Sequence, residues 1–157
     1  MSTGKRAQRE QGGVLLAALV LIAIVPLLML GVADQWSTRL IRARETELLF
    51  VGDQMVQALA SYRDADPSGL YPLSLNDLVE DRRGLNTRHH LRSLYRDPMT
   101  NRAEWGLVRE PDRRISGVYS LAPGAPFKQT GFAPRHQDFE HKKSYRAWVF
   151  SAVQPAS

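Results

Sequence analysis

A run without any ionisable side chain, residues 11–33, constrains this sequence more than any other feature. Built as an α-helix, residues 12–33 rise about 33 Å, and the hydrocarbon core of a bilayer is about 30 Å thick. The run therefore predicts a single-pass transmembrane helix, residues 14–33, which follows a basic leader, residues 1–13.

A cleavable secretory signal is the alternative interpretation of the run. Three cations precede the run: Lys5, Arg6 and Arg9. The run ends in Gly31-Val32-Ala33, which places small side chains at the two positions that signal peptidase reads. The run is longer than the apolar core of an ordinary signal, and the helical pattern continues beyond it. These two features favour an anchor that is not removed.

Beyond the run, the pattern predicts an amphipathic helix over residues 34–64. Apolar residues recur there at steps of three or four: Leu40, Ala43, Leu48, Val51, Met55, Leu59 and Tyr62. The other face is polar and carries Arg42, Arg44, Glu45, Glu47, Asp53 and Gln57. The helix is expected to end near Asp64, because residues 66–69 (DPSG) are a dense turn signal.

The remainder predicts a loop region, residues 65–104, and a small antiparallel sheet within residues 105–153. In the loop region, Ser74 caps a short helix that ends at Glu80, a helical turn covers residues 91–95, and Asp97 accepts backbone hydrogen bonds in a turn. The predicted strands are residues 105–108, 115–121 and 145–153. A long segment rich in Pro and Gly, residues 122–143, is typical of a functional or mobile connection. The fold class is therefore α+β, with residues 34–157 forming one domain on a helical spine.

Charge and composition exclude several function classes. The net charge of +5 is spread among many acids, which is typical of a solvated surface and makes a nucleic-acid partner unlikely. The chain has no cysteine, so it can form neither a disulfide nor a thiolate metal site.

The residues with catalytic or ligating chemistry do not form a motif. His89 and His90 are adjacent, so a helix would direct them about 100° apart, and both are interpreted as surface histidines. Four further groups in the long segment match no metal-ligand spacing: His136, Asp138, Glu140 and His141. There is no phosphate-binding glycine loop and no Gly-x-Ser-x-Gly motif. We therefore expect no enzyme activity, no metal and no cofactor.

Several longer motifs follow the apolar run in a fixed order. They are ELLFVGDQ (47–54), YPLSLNDLVEDRR (71–83), LYRDPMT (94–100), WGLV (105–108), GVYSL (117–121), PFKQ (126–129) and YxxWxF (145–150). Together with the basic leader that ends in glycine, this order resembles the type IV pilin and type II secretion system pseudopilin family, on the branch related to the major, G-type pseudopilin.

The resemblance implies a pilin-like fold and a structural, non-enzymatic subunit. It implies other pseudopilins, the inner-membrane secretion platform and a prepilin peptidase as partners. The expected location is the bacterial inner membrane, with the N-terminus cytoplasmic and the C-terminal domain periplasmic. An alternative function is a periplasmic, membrane-anchored module that binds DNA or polysaccharide through a basic patch, Arg82, Arg83, Arg88 and Arg92.

The resemblance also implies a processing site. Cleavage after Gly13 would make Val14 the new N-terminus, and cleavage between Gly12 and Gly13 is the alternative. Family members usually carry a glutamate five residues after the leader glycine, and Ala18 stands there in this chain. The glutamate is thought to meet the N-terminal amine of a neighbouring subunit, so its absence indicates a minor or specialised subunit.

Overall fold

The computed structural model describes the backbone of residues 4–153, and the side chains of residues 13–24 and 37–153. Within the described residues, two α-helices and a three-stranded sheet follow one another in an α+β order, as predicted. They are α1 (Gly4–Asp64), α2 (Asn76–Val79), β1 (Gly106–Arg109), β2 (Ile115–Tyr119) and β3 (Phe150–Ser151), with 3₁₀ turns at Pro134–Phe139 and Tyr145–Ala147 before β3. The chain divides into two compact units, which meet between Leu40 and Ile41.

The predicted membrane anchor is wrong. Within the described residues, no helix has the length and apolar character needed to cross a bilayer. The predicted location, a single pass through the inner membrane with a periplasmic domain, is therefore overturned. The leader cations, Gly12, residues 25–33 and the alternative signal cleavage site lie outside the described side chains.

In the second unit, α1 buries the stripe that its sequence predicts. Leu48, Met55 and Leu59 are fully enclosed, and Val51 and Tyr62 are nearly so. The stripe does not extend to its first two predicted members, because Leu40 and Ala43 are exposed. Helix α1 ends at Asp64, where the turn signal places it.

The loop region follows its predicted turn chemistry in part. Ser74 and Asp77 cap α2 reciprocally, since the Ser74 hydroxyl accepts from the Asn76 N–H and the Asp77 carboxylate accepts from the Ser74 N–H. Helix α2 ends at Val79, one residue earlier than predicted. The predicted helical turn at residues 91–95 is wrong, because the chain bends there without forming a helix, and Leu91 donates its N–H to the Leu78 carbonyl instead.

The Asp97 turn forms as predicted, and Asp97 itself is fully buried. Its carboxylate accepts hydrogen bonds from the Met99 N–H at 2.9 Å and from the hydroxyls of Thr100 and Ser120 at 3.0 and 2.7 Å. The Ser120 contact ties the turn to the end of β2, so Asp97 links the loop region to the sheet.

The sheet has the order β1–β2–β3 with antiparallel pairing throughout. The first two strands lie within one or two residues of their predicted bounds. The third is shorter than predicted, because residues 145–147 form a 3₁₀ turn instead of a strand. Ser144 caps this turn by accepting a hydrogen bond from the Arg146 N–H. Tyr145 and Trp148 are both buried, which is a spacing of three residues and not the alternation of a strand.

The long segment 122–143 closes the core. Phe139 stacks on Trp148 with ring centroids 5.6 Å apart, and Phe132 meets the same indole edge-on at 5.3 Å. Phe139 also contacts the ring of Phe150 in β3. The segment that the sequence marks as a loop thus supplies the aromatic layer beneath the sheet.

Gly52 of α1 packs closely against the ring of Phe150 in β3. A Cβ atom there would lie 2.3 Å from the ring of Phe150, which is itself buried. We expect Gly52→Ala to reduce the free energy of unfolding by about 1–3 kcal/mol through overpacking, although alanine is the better helix former by about 1 kcal/mol. Urea unfolding measures this, with Gln57→Ala on the exposed side of the same helix as the control. A stabilised Gly52→Ala protein would contradict the close packing.

Candidate functional site

The residues of the proposed processing site lie on α1 in the first unit. Gly13, Val14 and Ala18 are all exposed, and Val14 keeps 70 % of its surface open. The Gly13–Val14 bond lies within α1, so a peptidase could cleave it only if this helix opened locally. Cleavage after Gly13 stays a prediction.

Large apolar side chains surround this part of α1 on every side. Successive helical residues point about 100° apart, so four consecutive exposed residues cover the whole circumference. Leu19, Val20, Leu21 and Ile22 are such a set, with 55–68 % of their surfaces open. We call residues 13–24 the apolar segment; its other exposed large side chains are Val14, Leu15, Leu16 and Ile24.

The predicted basic patch is largely occupied by internal contacts. Arg82 pairs with Glu80 at 2.8 Å, and Arg88 donates to the Ala65 carbonyl at 3.0 Å. Arg83 binds Asp81 through two nitrogens, at 2.9 and 2.8 Å, and its guanidinium lies 3.5 Å from the centre of the Tyr62 ring. Of the four predicted arginines, only Arg92 has neither a hydrogen bond nor an ion pair within the described part of the chain. The contacts of Arg83 and Arg88 thus hold this loop in a defined fold, whereas the side chain of Arg82 stays 74 % exposed.

Asp81 is the centre of that loop. Its side chain is 4 % exposed, and the hydrogen bonds from the Arg83 guanidinium lower the pKa of its carboxyl below the ordinary range. Its backbone forms two hydrogen bonds with Arg88, which close the loop of residues 82–87. The anionic carboxylate thus has a fixed position at the base of the loop.

The prediction that His90 is a surface histidine is wrong. Its side chain is 5 % exposed, with Nε2 at 3.3 Å from the Asp81 carboxylate and Nδ1 at 2.8 Å from the Ser61 hydroxyl. Because Asp81 is an acceptor, neutral His90 carries its proton on Nε2, and the Ser61 hydroxyl then donates to Nδ1. His89, in contrast, is exposed as predicted.

Ser61, His90 and Asp81 form a hydrogen-bonded chain of a hydroxyl, an imidazole and a carboxylate. These are the three groups of a catalytic triad for acyl transfer. Such catalysis also needs N–H donors aimed at a developing oxyanion. Ser61 lies within α1, where the backbone N–H groups are already used by the helix ladder. Arg83 also occupies the Asp81 carboxylate. These contacts fasten α1 to the loop, and they do not assemble a substrate site.

A second tie is formed by Glu45, which the sequence places on the polar face of α1. The side chain is buried, with the residue 2 % exposed. Its carboxylate accepts hydrogen bonds from the N–H groups of Phe127 and Lys128 and, at 2.8 Å, from the Tyr145 hydroxyl. Burial, together with the neighbouring Glu45 carboxylate, raises the pKa of the Tyr145 phenol well above its ordinary value.

A third tie joins Asp53 of α1 to the long segment. The His136 Nε2 lies 2.7 Å from one carboxylate oxygen, and the Arg135 Nε lies 2.9 Å from the other. His136 is buried and stacks on Phe139. Among the side chains that the structure describes, no three His, Asp or Glu residues are grouped so that they could hold a metal ion. Of the four residues considered for metal binding, Glu140 accepts instead from the Gly131 N–H.

A groove of about 1210 Å³ lies between α1 and β3 in the second unit. One wall is helical and includes Asp53, Val56, Ala60 and Arg63, and the other includes Val149, Ser151 and Val153. The long segment, residues 122–143, also lines the groove, through Arg135, Asp138 and Lys142. No local sequence pattern indicates this groove, because its walls come from three distant parts of the chain.

No protein-family model, no curated protein and no solved structure matches this chain. The resemblance to pilins and pseudopilins therefore rests on the sequence motifs alone.

We expect Tyr145→Phe to lower the free energy of unfolding by about 1.5–3 kcal/mol at neutral pH, the contribution of a hydrogen bond to a charged group. The raised pKa of Tyr145 means that the folded state keeps its proton above pH 10, where unfolded tyrosine loses it. Wild-type stability should therefore fall as the pH rises above about 10, and the fall should be smaller in Tyr145→Phe.

Urea unfolding between neutral and alkaline pH measures both effects. Tyr119→Phe is the matched control, since the Tyr119 hydroxyl has no hydrogen bond within the described residues. Equal pH profiles for the two variants would contradict the role of the Tyr145–Glu45 bond.

We expect Asp81→Asn to cost about 3–5 kcal/mol, because it leaves the part-buried Arg83 without its anion. Glu80→Gln breaks the exposed pair with Arg82 next to it and should cost less than about 1 kcal/mol. Because the pKa of Asp81 is lowered in the folded state, its carboxylate stabilises the fold to the full extent above about pH 4. This stabilisation is lost as the pH falls below that value. Thermal unfolding of both variants at neutral and acidic pH measures the difference. A cost for Glu80→Gln as large as that for Asp81→Asn would argue against this assignment.

Proposed function

We propose that the protein is a structural subunit of a type II secretion or type IV pilus assembly, of the pseudopilin class, in which the apolar segment packs against the corresponding segments of neighbouring subunits. The observation that carries the proposal is the exposure of large aliphatic side chains around the whole of residues 13–24. The motifs shared with pseudopilins support the choice of this assembly class over others.

The energetic argument concerns water. Fully burying one aliphatic side chain contributes about 1.5–3 kcal/mol, and a helix that is apolar on all sides needs a cover on all sides. Contiguous exposed apolar surface of this kind marks an interaction site. Several neighbouring helices, and not one, are needed to cover a complete circumference, which fits a multi-subunit assembly.

The composition of the segment indicates how its helices meet. It contains small residues at Gly13, Ala17, Ala18 and Ala23, which allow close approach of helix backbones. It contains no acid, and alanine stands at position 18, so no buried ion pair from this segment can set the register of neighbouring subunits. Association should therefore depend on shape and apolar burial and should not weaken as salt rises. A subunit without the family's glutamate is better suited to a minor position than to a repeated one.

A nucleic-acid or polysaccharide-binding module receives less support. Arg82, Arg83 and Arg88 all have internal partners, so binding phosphates would require those contacts to break. Arg92 remains, and one exposed cation supplies little of the charge that such binding needs.

Leu19→Lys tests the assembly in the full-length chain. A charge in the apolar segment should raise the concentration at which the chain associates by at least about tenfold, because a lysine ammonium cannot be buried there without a partner. Leu73→Lys, an exposed leucine of the second unit, is the matched control. Sedimentation velocity over a concentration series in mild detergent gives the association state.

The wild-type chain and Leu73→Lys should form the same discrete oligomers, and their association should persist at high salt. A wild-type chain that stays monomeric, or a Leu19→Lys chain that assembles equally well, would refute the proposal. A broad distribution of sizes without discrete species would indicate non-specific aggregation and would also count against it.

A further inference from the structure

The loop of residues 82–87 ends in an uncovered leucine. Residues 84–87, which we call the loop tip, are all exposed. Leu85 has its entire side chain open to solvent, more than any other large apolar residue that the structure describes. Single exposed leucines are common on protein surfaces. The base of the loop and a groove elsewhere on the second unit give this one a meaning.

The base of the loop is held by directional contacts. Asp81 and Arg88 exchange two backbone hydrogen bonds, at 2.8 and 2.9 Å. The Arg83 guanidinium binds the Asp81 carboxylate, lies 3.5 Å from the centre of the Tyr62 ring and donates to the Tyr62 carbonyl at 2.6 Å. A loop closed in this way presents Leu85 at a defined position, so a partner that covers the leucine loses less conformational entropy on binding.

The groove lies on the opposite side of α1 from this loop. The loop and its flank contact α1 at Tyr62 and Ser61, through Arg83 and His90. The helical wall of the groove consists of other positions of α1: Asp53, Val56, Ala60 and Arg63. At 100° per residue, the mean directions of the two sets lie about 170° apart around the helix axis. None of the described loop residues lines the groove, so the loop tip does not fill the groove of its own copy.

The groove offers an apolar surface with balanced charges. Val149 and Val153 on one wall keep 38 % and 44 % of their surfaces open, and Val56 and Ala60 lie on the other wall. Its charged residues have opposite charges nearby: Arg135 pairs with Asp53 at 2.9 Å, Arg63 pairs with Asp64 at 2.8 Å, and Lys142 shares the lining with Asp138. An occupant is therefore selected by apolar contact and not by net charge.

The loop tip matches this groove in charge and in size. Its sequence, GLNT, contains no ionisable side chain, so it brings no unbalanced charge into the groove. The groove volume of about 1210 Å³ is larger than the roughly 300–1,000 Å³ of a small-molecule site, which leaves room for a few residues. Leu85 is the side chain that can lie against the valines, while Asn86 and Thr87 can hydrogen-bond the charged rim.

The area of such a contact indicates when it forms. Four residues bury much less than the roughly 1,200 Å² that a stable interface between two proteins needs. The contact therefore does not hold two separate copies together. It can form between copies that the apolar segment already keeps close, because their effective concentration is then high.

We propose that the loop tip of one copy inserts Leu85 into the groove of a neighbouring copy. The contact joins two different surfaces of the same protein, so each copy uses its loop tip on one neighbour and its groove on another. Contacts of this head-to-tail kind continue from subunit to subunit, as a ring or an open helical array. The inference rests on the proposed function and adds to it the surfaces through which the second units meet.

Disulfide trapping tests the contact, since the chain has no cysteine of its own. Leu85→Cys and Val149→Cys are made as separate full-length proteins, mixed in mild detergent and oxidised. A disulfide requires Cα atoms about 4.4–6.8 Å apart, so it reports the insertion itself. The mixture should give a disulfide-linked dimer of the two variants. A mixture of Leu73→Cys, another exposed leucine of the second unit, with Val149→Cys should give at least about tenfold less.

The outcomes separate this inference from the proposed function. If the wild-type chain forms discrete oligomers but the Leu85→Cys mixture links no better than the Leu73→Cys mixture, the inference is overturned and the proposed function stands. If Leu85→Cys alone links to itself as readily as it links to Val149→Cys, the loops meet each other symmetrically and the inference is also overturned. A wild-type chain that stays monomeric refutes both.

Leu85→Asp provides a second measurement without oxidation. An aspartate cannot be buried in the groove without a partner, so the concentration at which the chain associates should rise at least about fivefold in sedimentation velocity. Thermal unfolding should not change, because Leu85 is wholly exposed, and Leu73→Asp should change neither quantity. Unchanged association of Leu85→Asp would overturn the proposal. If Leu85→Asp instead loses binding to phosphatidylglycerol vesicles that the wild type binds, the loop tip meets a lipid surface, which would likewise overturn it.

Discussion

The carboxylate of Glu45 is buried in α1, and the rest of the second unit depends on how that burial is compensated. A charged group removed from water costs several kcal/mol unless donors replace its hydration. Three donors do so here, and all of them come from residues 127–145, far along the sequence. The bond from Tyr145 also requires the 3₁₀ turn that brings its hydroxyl inward. The first residues of the third predicted strand thus form a 3₁₀ turn, which allows the Tyr145 hydroxyl to bond the helix.

The same principle recurs at two further points on α1. Asp53 is covered by His136 and Arg135, and the Ser61 hydroxyl reaches the His90–Asp81 pair. Each tie joins a polar group of the helix to a segment outside the α-helices and the strands. These segments therefore hold defined positions, although the sheet itself is small and β3 has only two residues. Because polar ties are directional, they fix the position of α1 along the sheet, which apolar packing alone would leave less well defined.

Local signals in the sequence predicted much of the fold. The end of α1, the Ser74 cap, the Asp97 turn and the first two strands all depend on residues within a few positions of one another. The misses have a common cause in contacts between distant residues. The helical pattern identifies Glu45 and Asp53 as polar, but it cannot show that residues 127–145 cover them. His90 was assigned to the surface for the same reason, since its partners Ser61 and Asp81 lie in different elements. The apolar run as a whole predicts a transmembrane helix. Within the described chain, however, no helix is long and apolar enough to cross a bilayer.

The internal ties also determine which parts of the surface remain available for recognition. Most charges on α1 and on the loop after α2 are satisfied within the second unit, so removing them for a partner would break contacts that stabilise the fold. Two kinds of group have no such commitment in the described chain: the aliphatic side chains of residues 13–24, and exposed cations such as Lys142 and Arg92. The aliphatic side chains can associate only by apolar burial, which has little directionality.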